Sequence, residues 1–436
     1  YSSTSNTLTK YLATNLKPTA NGSISSCKIS PTLPTGLTIE DTTCVISGTP
    51  TAISSAKDYT VTANFSDGQT AIARINITVG FMREFSEIQA ILQAQIALGS
   101  SGNESADTSS ISGLAGPADN CEGGVLASNG KIYGIPLSST SVLIIDPISN
   151  TADTSTITGL AVGAKWMGGV LASNGKIYGI PLNSTSVLII DPTSNTADTT
   201  TIAGLAGTAK WIGGVLAPNG KIYGIPFNST SVLIIDPTSN TADTTTIAGL
   251  AGVGKWTGGV LAPNGKIYGI PFNSTSVLII DPTSNTANTT TITGLAGGAK
   301  WMGGVLAPNG KIYGIPQNSA TVLIIDPNSN TADTTTITGL AGTAKWTGGV
   351  LTPNGKIYGI PNDSTSVLII DPNSNTADTT TIAGLAGTAK WAGGVLTPNG
   401  KIYGIPSDTT SVLIIDPKSN GTWPNDFYLS PYFNKY

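Results

Sequence analysis

Histidine is absent from the 436 residues, arginine occurs twice, at Arg74 and Arg83, and no glutamate follows Glu122. Charged side chains make up 11% of the chain and leave a net charge of −4, without any run of one sign. A basic footprint for nucleic acid is therefore missing, and so is a polybasic membrane patch. No apolar stretch approaches the roughly 20 residues that cross a bilayer as a helix. The scarcity of titratable groups also bears on catalysis. General acid–base work needs a tuned side chain, and a nucleophilic triad needs a base beside Ser or Cys. The expectation is that the chain is not an enzyme and carries no cofactor. No His/Cys cluster with metal-ligand spacing occurs, and "DPTSNTAD" lacks the oxygen spacing of an EF-hand loop, so no metal is expected either. Three cysteines are present. Cys27 and Cys44 lie close together in a β-patterned region, as a structural disulfide would, which argues for an oxidising compartment; Cys121 is left over. The chain starts at Tyr1 with neither Met nor a charged-then-apolar leader, which reads as a processed product.

What is abundant is repetition. Trp166, Trp211, Trp256, Trp301, Trp346 and Trp391 are spaced 45 residues apart, and Cys121 stands one period before the first of them. Each of the seven copies carries "GGVL", then "NGKIYGIP" and an apolar "VLIIDP", and in the first six a Thr-rich segment follows. In the copy from Gly168, strands are expected at Gly168–Ser173, Lys176–Leu182, Ser186–Asp191 and Ala197–Ala203. Asn174-Gly175 reads as a two-residue type I′ hairpin, and Asp191 to Asn195 as an Asp- and Asn-supported turn. Four-stranded units of this length are propeller blades, and the absence of a 3.6-residue apolar period excludes helical repeats. The last copy stops before its fourth strand, while the missing piece, "ESADTSSISGLAG", sits at Glu104–Gly116, ahead of the first. The N-terminal strand is expected to complete the seventh blade and remove the open edge.

The fold class expected is all-β: an Ig-like β-sandwich at 1–80, an amphipathic linker helix at 81–103, a seven-bladed β-propeller at 104–420 and an aromatic tail at 421–436. The helix rests on Phe81, Phe85, Ile88, Leu92 and Ile96, which fall at helical spacing. The stretch "ISPTLPTGLTIEDTTCVISGTPT", at Ile29 to Thr51, resembles the Ig-like domain common in bacterial surface proteins, which implies an exported spacer or adhesive module without catalytic residues. The repeat resembles the kelch type through "NGKIY…SV…DP.SNT", although "GIP" stands where kelch units carry a double glycine. That resemblance implies a binding or scaffold platform.

Two site readings follow. The loops after the second strand and before the next blade's first strand should share one face of the disc. That face carries the pairs Lys165-Trp166, Lys210-Trp211, Lys255-Trp256, Lys300-Trp301, Lys345-Trp346 and Lys390-Trp391. It also carries positions that differ between copies: Leu137, Leu182, Phe227, Phe272, Gln317, Asn362 and Ser407. Exposed tryptophans would stack on sugars or aromatic groups; the competing reading, which large repeated aromatics favour, is that each wedges between blades as core. The tail, with Trp423, Phe427, Tyr428, Tyr432, Phe433 and Tyr436, is too aromatic to stay exposed and is expected to dock, with subunit contact as one use. The function expected is a non-enzymatic extracellular or bacterial surface protein whose propeller is an interaction platform. Its partners would be other copies of itself, in an appendage or filament, or surface proteins and glycans. The alternative is a lectin-like adhesin that binds glycans on the Lys-Trp face.

Overall fold

The computed structural model describes residues 5–9, 14–19, 22–48, 50, 54–80, 103–116 and 120–417. The chain divides into two compact units, Tyr1–Ile91 and Leu92–Tyr436. Among the described residues every regular element is a strand. The helix read at 81–103 falls on residues that, up to 102, lie outside the described ones, as does the aromatic tail at 421–436.

The first unit contains β1 (Ser5–Thr9), β2 (Thr14–Leu16), β3 (Ile24–Ser30), β4 (Leu37–Ile39), β5 (Ile46–Gly48), β6 (Ser54–Phe65) and β7 (Thr70–Gly80). They form a four-stranded sheet in the order β1-β7-β6-β3 and a three-stranded sheet in the order β2-β5-β4. Alternation decides which side chains go inward: in β7, Ile75, Ile77 and Val79 are buried while Ile72, off that phase, is exposed. Leu37 and Ile46 from the smaller sheet join Tyr59, Val61, Ile75 and Ile77 from the larger in one core. The Cys27–Cys44 disulfide lies within it, with Cα atoms 5.5 Å apart. Cys121, in the second unit, is buried and outside this disulfide.

In the second unit the 45-residue period becomes seven four-stranded antiparallel sheets. In the copy quoted above, the strands are Trp166–Leu171, Ile177–Pro181, Leu188–Asp191 and Thr196–Asp198. First strands of successive sheets are neighbours all the way round, and the seventh (Trp391–Leu396) lies beside the first (Cys121–Leu126). The sheets are therefore the blades of a closed ring. The strand Ser105–Asp107 pairs with Leu413–Asp416, setting Asp107 opposite Ile414 and Ala106 opposite Ile415. Val412 N–H donates to Ile111 O at 3.0 Å, and Leu114 N–H donates to Thr410 O at 3.0 Å.

The first strand begins at the tryptophan, two residues earlier than the apolar pattern implied, because a bulge between Trp166 and Gly169 lets the indole pair across from Pro181. Gly168 occupies that bulge at φ 76°, and a Cβ there would lie 2.9 Å from Gly213 Cα of the next blade. The "NG" turn also differs from expectation. A type I′ turn needs positive φ at both central residues. Here Gly175 is left-handed, at φ 77°, and Asn174 is not; Gly175 N–H donates to Ala172 O at 3.0 Å. The loop is a type I turn closed by a glycine bulge. Asn174 is used elsewhere: its Nδ2 donates to Tyr178 OH at 2.9 Å and to Pro237 O, in the next blade, at 3.2 Å.

That tyrosine is fully buried in every blade. Tyr178 OH donates to Asn240 Oδ1 of the following blade at 2.8 Å, and Tyr403 OH donates to Asn150 Oδ1 at 3.0 Å, carrying the contact from blade seven to blade one. Asn240 and its counterparts hold φ near 52°. Asparagine tolerates that left-handed turn and supplies an acceptor that glycine lacks. Just ahead of the closing strand, Glu104 pairs with Lys356 of blade six, Oε1 to Nζ 3.0 Å.

Deleting Glu104–Ser112 removes the partner of Leu413–Asp416 and the buried Ile111. The propeller's thermal transition is expected to fall by about 10 °C or more. An unchanged melt by near-ultraviolet circular dichroism would show that the ring does not depend on this strand.

Candidate functional site at the mouth of the ring

The loop after each second strand meets the residue that precedes the next blade's tryptophan, as the antiparallel order requires. Lys165 N–H donates to Leu137 O at 2.9 Å, Leu182 N–H to Lys165 O at 2.8 Å and Lys210 N–H to Leu182 O at 2.9 Å. The same alternation continues through Phe227, Phe272, Gln317 and Asn362 to Ser407, forming a belt around one face.

Each lysine turns inward under this belt. Lys165 Nζ donates to the carbonyls of Leu137, Ser139 and Gly163 at 3.0, 2.8 and 3.1 Å. It lies 5.7 Å from the Trp166 ring centroid. The remaining five repeat this arrangement at 5.7 to 5.8 Å, and Lys390 Nζ donates to Asn362 O and Gly387 O at 2.7 Å each. Burial pulls Lys210, Lys255, Lys300 and Lys345 down to about 8. All four remain charged at neutral pH, and three acceptors call for the three hydrogens of an ammonium. The tryptophans are 2 to 3% exposed, with each indole N–H donated to a carbonyl 20 residues on, as from Trp211 to Ser231 O at 2.7 Å. Trp166, for instance, packs on Val125, Tyr133 and Ile135 of the preceding blade. All six Lys-Trp pairs are thus interior clamps between blades, and their ring faces are covered. The aspartates read as turn formers also act as such. Asp191 accepts Thr193 N–H at 2.9 Å; hydrogen bonds from Thr201 Oγ1 and then Thr200 N–H hold Asp198 at about 2. Asn288 fills the same turn in its blade, accepting Thr290 N–H at 2.9 Å.

With the clamps closed, two sets of side chains differ from blade to blade at the axis. One is the set that follows each second strand, from Leu137 to Ser407. The other, one residue after each tryptophan slot, is Glu122, Met167, Ile212, Thr257, Met302, Thr347 and Ala392. Met167, Ile212 and Met302 pack together, with Leu182 and Phe227 against them. Blade five does not neighbour blades two and three in the ring, so these side chains meet across the axis and stopper it. Phe227 and Phe272 lie 5.6 Å apart, centroid to centroid, at 58°. The mouth is therefore two-sided. Leu137, Leu182, Phe227 and Phe272 give blades one to four an apolar lip; Gln317, Asn362 and Ser407 give blades five to seven a polar one. Gln317 Oε1 is shielded from solvent without a hydrogen-bond partner among the described residues.

At the junction of blades seven and one the clamp is missing, because Asn120-Cys121 replaces Lys-Trp. Glu122 stands there, accepting a hydrogen bond from Ser407 Oγ at 3.3 Å. Desolvation raises its pKa from 4.5 to about 7, the Ser407 hydrogen bond opposes this, and repulsion from Asp408 adds to it. Spacing arguments passed over this carboxyl; the signal was that Glu122, the chain's last glutamate, falls where the repeat breaks its own pattern.

Residues 1–80 match the family model described as "Putative Ig domain". No curated protein matches the chain. Among solved structures the chain is similar to a streptogramin B lyase, with a TM-score of 0.59 at 13% identity, covering 72% of this chain and 97% of that one. It is similar to a catalytically inactive histidine-to-alanine variant of virginiamycin B lyase from Staphylococcus aureus with quinupristin, at TM-score 0.57 and 12% identity, covering 70% and 97%. It also resembles the extracellular domain of a hybrid two-component system from B. thetaiotaomicron, at TM-score 0.54 and 11% identity, covering 85% of this chain and 48% of that one. At such identities the likeness shows the propeller fold alone.

Two outcomes test this geometry. Trp256→Ala removes an interblade wedge and is expected to cost about 3–5 kcal/mol in denaturant unfolding; a loss below ~1 kcal/mol would place the indole outside the core. Glu122 has the opposite sign of linkage from most carboxylates. Folded Glu122 binds its proton more tightly than unfolded, so its contribution to stability falls as pH rises from about 4.5 to about 7. Glu122→Gln should match the wild type near pH 4 and melt a few degrees higher at pH 8 (about 2–4 °C per kcal/mol). Parallel melting curves across that range would show that the carboxyl is not buried as described.

Proposed function

We propose that the chain is a non-enzymatic extracellular or bacterial surface protein whose propeller binds a ligand at the mouth of the ring. One observation carries this reading: positions that vary between otherwise near-identical blades gather around the axis on one face, above an apolar stopper. Copies also differ in the turns at the other end of the blades, but the two sets at the axis stand next to one another, which is how a repeat scaffold makes one site from seven equivalent ones. The Ig-like match, the disulfide and the likeness to an extracellular domain support the location. The kelch-type resemblance of "NGKIY…SV…DP.SNT" supports a platform. No helix among the described residues is long and apolar enough to cross a membrane.

The absence of catalysis is supported by the composition. One similar structure is a lyase whose histidine-to-alanine variant is catalytically inactive, whereas this chain has no histidine. Glu122, near 7, accepts a hydrogen bond from Ser407 and is repelled by Asp408; the described residues hold no group of three His, Cys, Asp or Glu that would bind a metal. The lectin reading moves with the site. Sugars would be held at Phe227, Phe272 and the polar lip rather than on the covered tryptophans.

The test is a screen of glycans and small amphiphiles by thermal shift, followed by titration. Phe227→Ala and Gln317→Ala are expected to weaken any hit about tenfold (1.4 kcal/mol) or more. Hits whose affinity is unmoved by both substitutions would take binding away from the mouth.

A further inference from the structure

Six of the seven junctions in the ring hold a primary ammonium, supplied by the chain itself. In the first of them Lys165 Nζ donates to the carbonyls of the second-strand loop at Leu137 and Ser139. Six periods of 45 residues on, the corresponding positions are Ser407 and Thr409, and the lysine that would reach them is Asn120. Its side chain is two bonds shorter and carries no charge. The tryptophan beneath is also replaced, by the smaller and fully buried Cys121. The seventh junction thus keeps the loop that faces an ammonium at the other six, and has no lysine at the corresponding position.

What surrounds that position is anionic. Asn120 Nδ2 donates to Asp408 Oδ1 at 2.9 Å and to Ser407 Oγ at 3.3 Å. Ser407 Oγ in turn donates to Glu122 Oε1. Asn120 Oδ1 is shielded from solvent and has no hydrogen-bond partner among the described residues, which leaves an acceptor in place beside two carboxylates. Ser407 is 4% exposed. Neither the Ser407 hydrogen bond nor any neighbouring cation brings Glu122 back to an ordinary carboxylate value. Glu122, half-buried and desolvated, lies near the exposed Asp408, and a positive charge placed between the two carboxylates would favour both.

We propose that the seventh junction, at Asn120, Glu122, Ser407 and Asp408, is a socket for a primary ammonium group from outside the propeller, such as a lysine side chain, an α-amine or an amino sugar. The six internal lysines are the template. An alkylammonium offers three N–H donors to oxygen acceptors, as each of them does, and Glu122 supplies the counter-charge. The socket opens on the lip of the mouth, so this assignment rests on the mouth being the binding face and names one chemical group of its ligand.

The experiment titrates the full chain at pH 8 with n-butylammonium chloride, tetramethylammonium chloride and calcium chloride, followed by calorimetry and thermal shift. Butylammonium is expected to bind saturably at one site, and tetramethylammonium, which has no N–H, to bind at least tenfold more weakly. Glu122→Gln should weaken butylammonium at least tenfold. Asn120→Lys should abolish its binding and raise the melting temperature, because the chain then fills its own socket. Saturable calcium binding without butylammonium binding would overturn the proposal in favour of a metal site. Equal binding of tetramethylammonium, or butylammonium binding retained in Asn120→Lys, would also overturn it. Should Asn120→Lys not fold, Glu122→Gln decides alone. Loss of the ammonium result while Phe227→Ala still weakens a screened ligand sinks this assignment and leaves the binding mouth standing. Insensitivity of every ligand to Phe227→Ala and Gln317→Ala sinks the mouth itself.

Discussion

The ring depends on a buried charge. At each of six junctions a lysine ammonium is removed from water and given carbonyl oxygens on one side and an indole face on the other. A buried ammonium is tolerated when its hydrogens are matched, and the attraction of the ring's π face adds to the match. The carbonyls belong to the loop of the preceding blade, and the tryptophan packs on that blade's strands, so lysine and wedge act together on one interface. Tyrosine and left-handed asparagine form the corresponding contact on the other face, from Tyr178 to Asn240 and, across the closure, from Tyr403 to Asn150. Where both contacts are present, neighbouring blades are fixed at both ends with the apolar strands between, whereas at the junction of blades seven and one the tyrosine contact stands without a lysine clamp.

A clamp made from the most interactive side chains of the repeat has a consequence for recognition. Lysine and tryptophan are what a binding surface would ordinarily use, yet here both are consumed in holding blades together. Under the proposed binding function, recognition falls to the residues that vary where first strands converge. Seven nominally equal positions become an apolar arc and a polar arc, and the axis between them is closed by Met167, Ile212 and Met302. The junction of blades seven and one is where the chain's two ends are sewn together, where the clamp is absent and where Glu122 lies. Closure and asymmetry meet at one place, because the copy that begins a ring is the copy least bound by the repeat.

Much of this could be read from residues in order. The 45-residue period, the stranded pattern within it and the misplaced fourth strand at Glu104–Gly116 together imply a closed ring of seven, since an unpaired edge is unfavourable and its complement is visible upstream. Cys27 and Cys44 were legible as a pair because they lie close together in one β-patterned region. Finer features were not. "NG" suggests a two-residue hairpin on propensity, but Asn174 is held by Tyr178 and by the next blade's backbone, and a bulged turn is what lets it reach them.

The sequence by itself determined how many blades there are, which strand closes them and which side chains are apolar. Those properties follow from periodicity and strand alternation, which are local. Whether Lys165-Trp166 and its five counterparts would face a ligand or each other was settled only in three dimensions, by carbonyls 26 and 28 residues away that belong to another blade. The same holds for Glu122. Its raised pKa comes first from desolvation and then from repulsion by Asp408, 286 residues later, against the opposing hydrogen bond from Ser407, and these groups meet only because the ring closes.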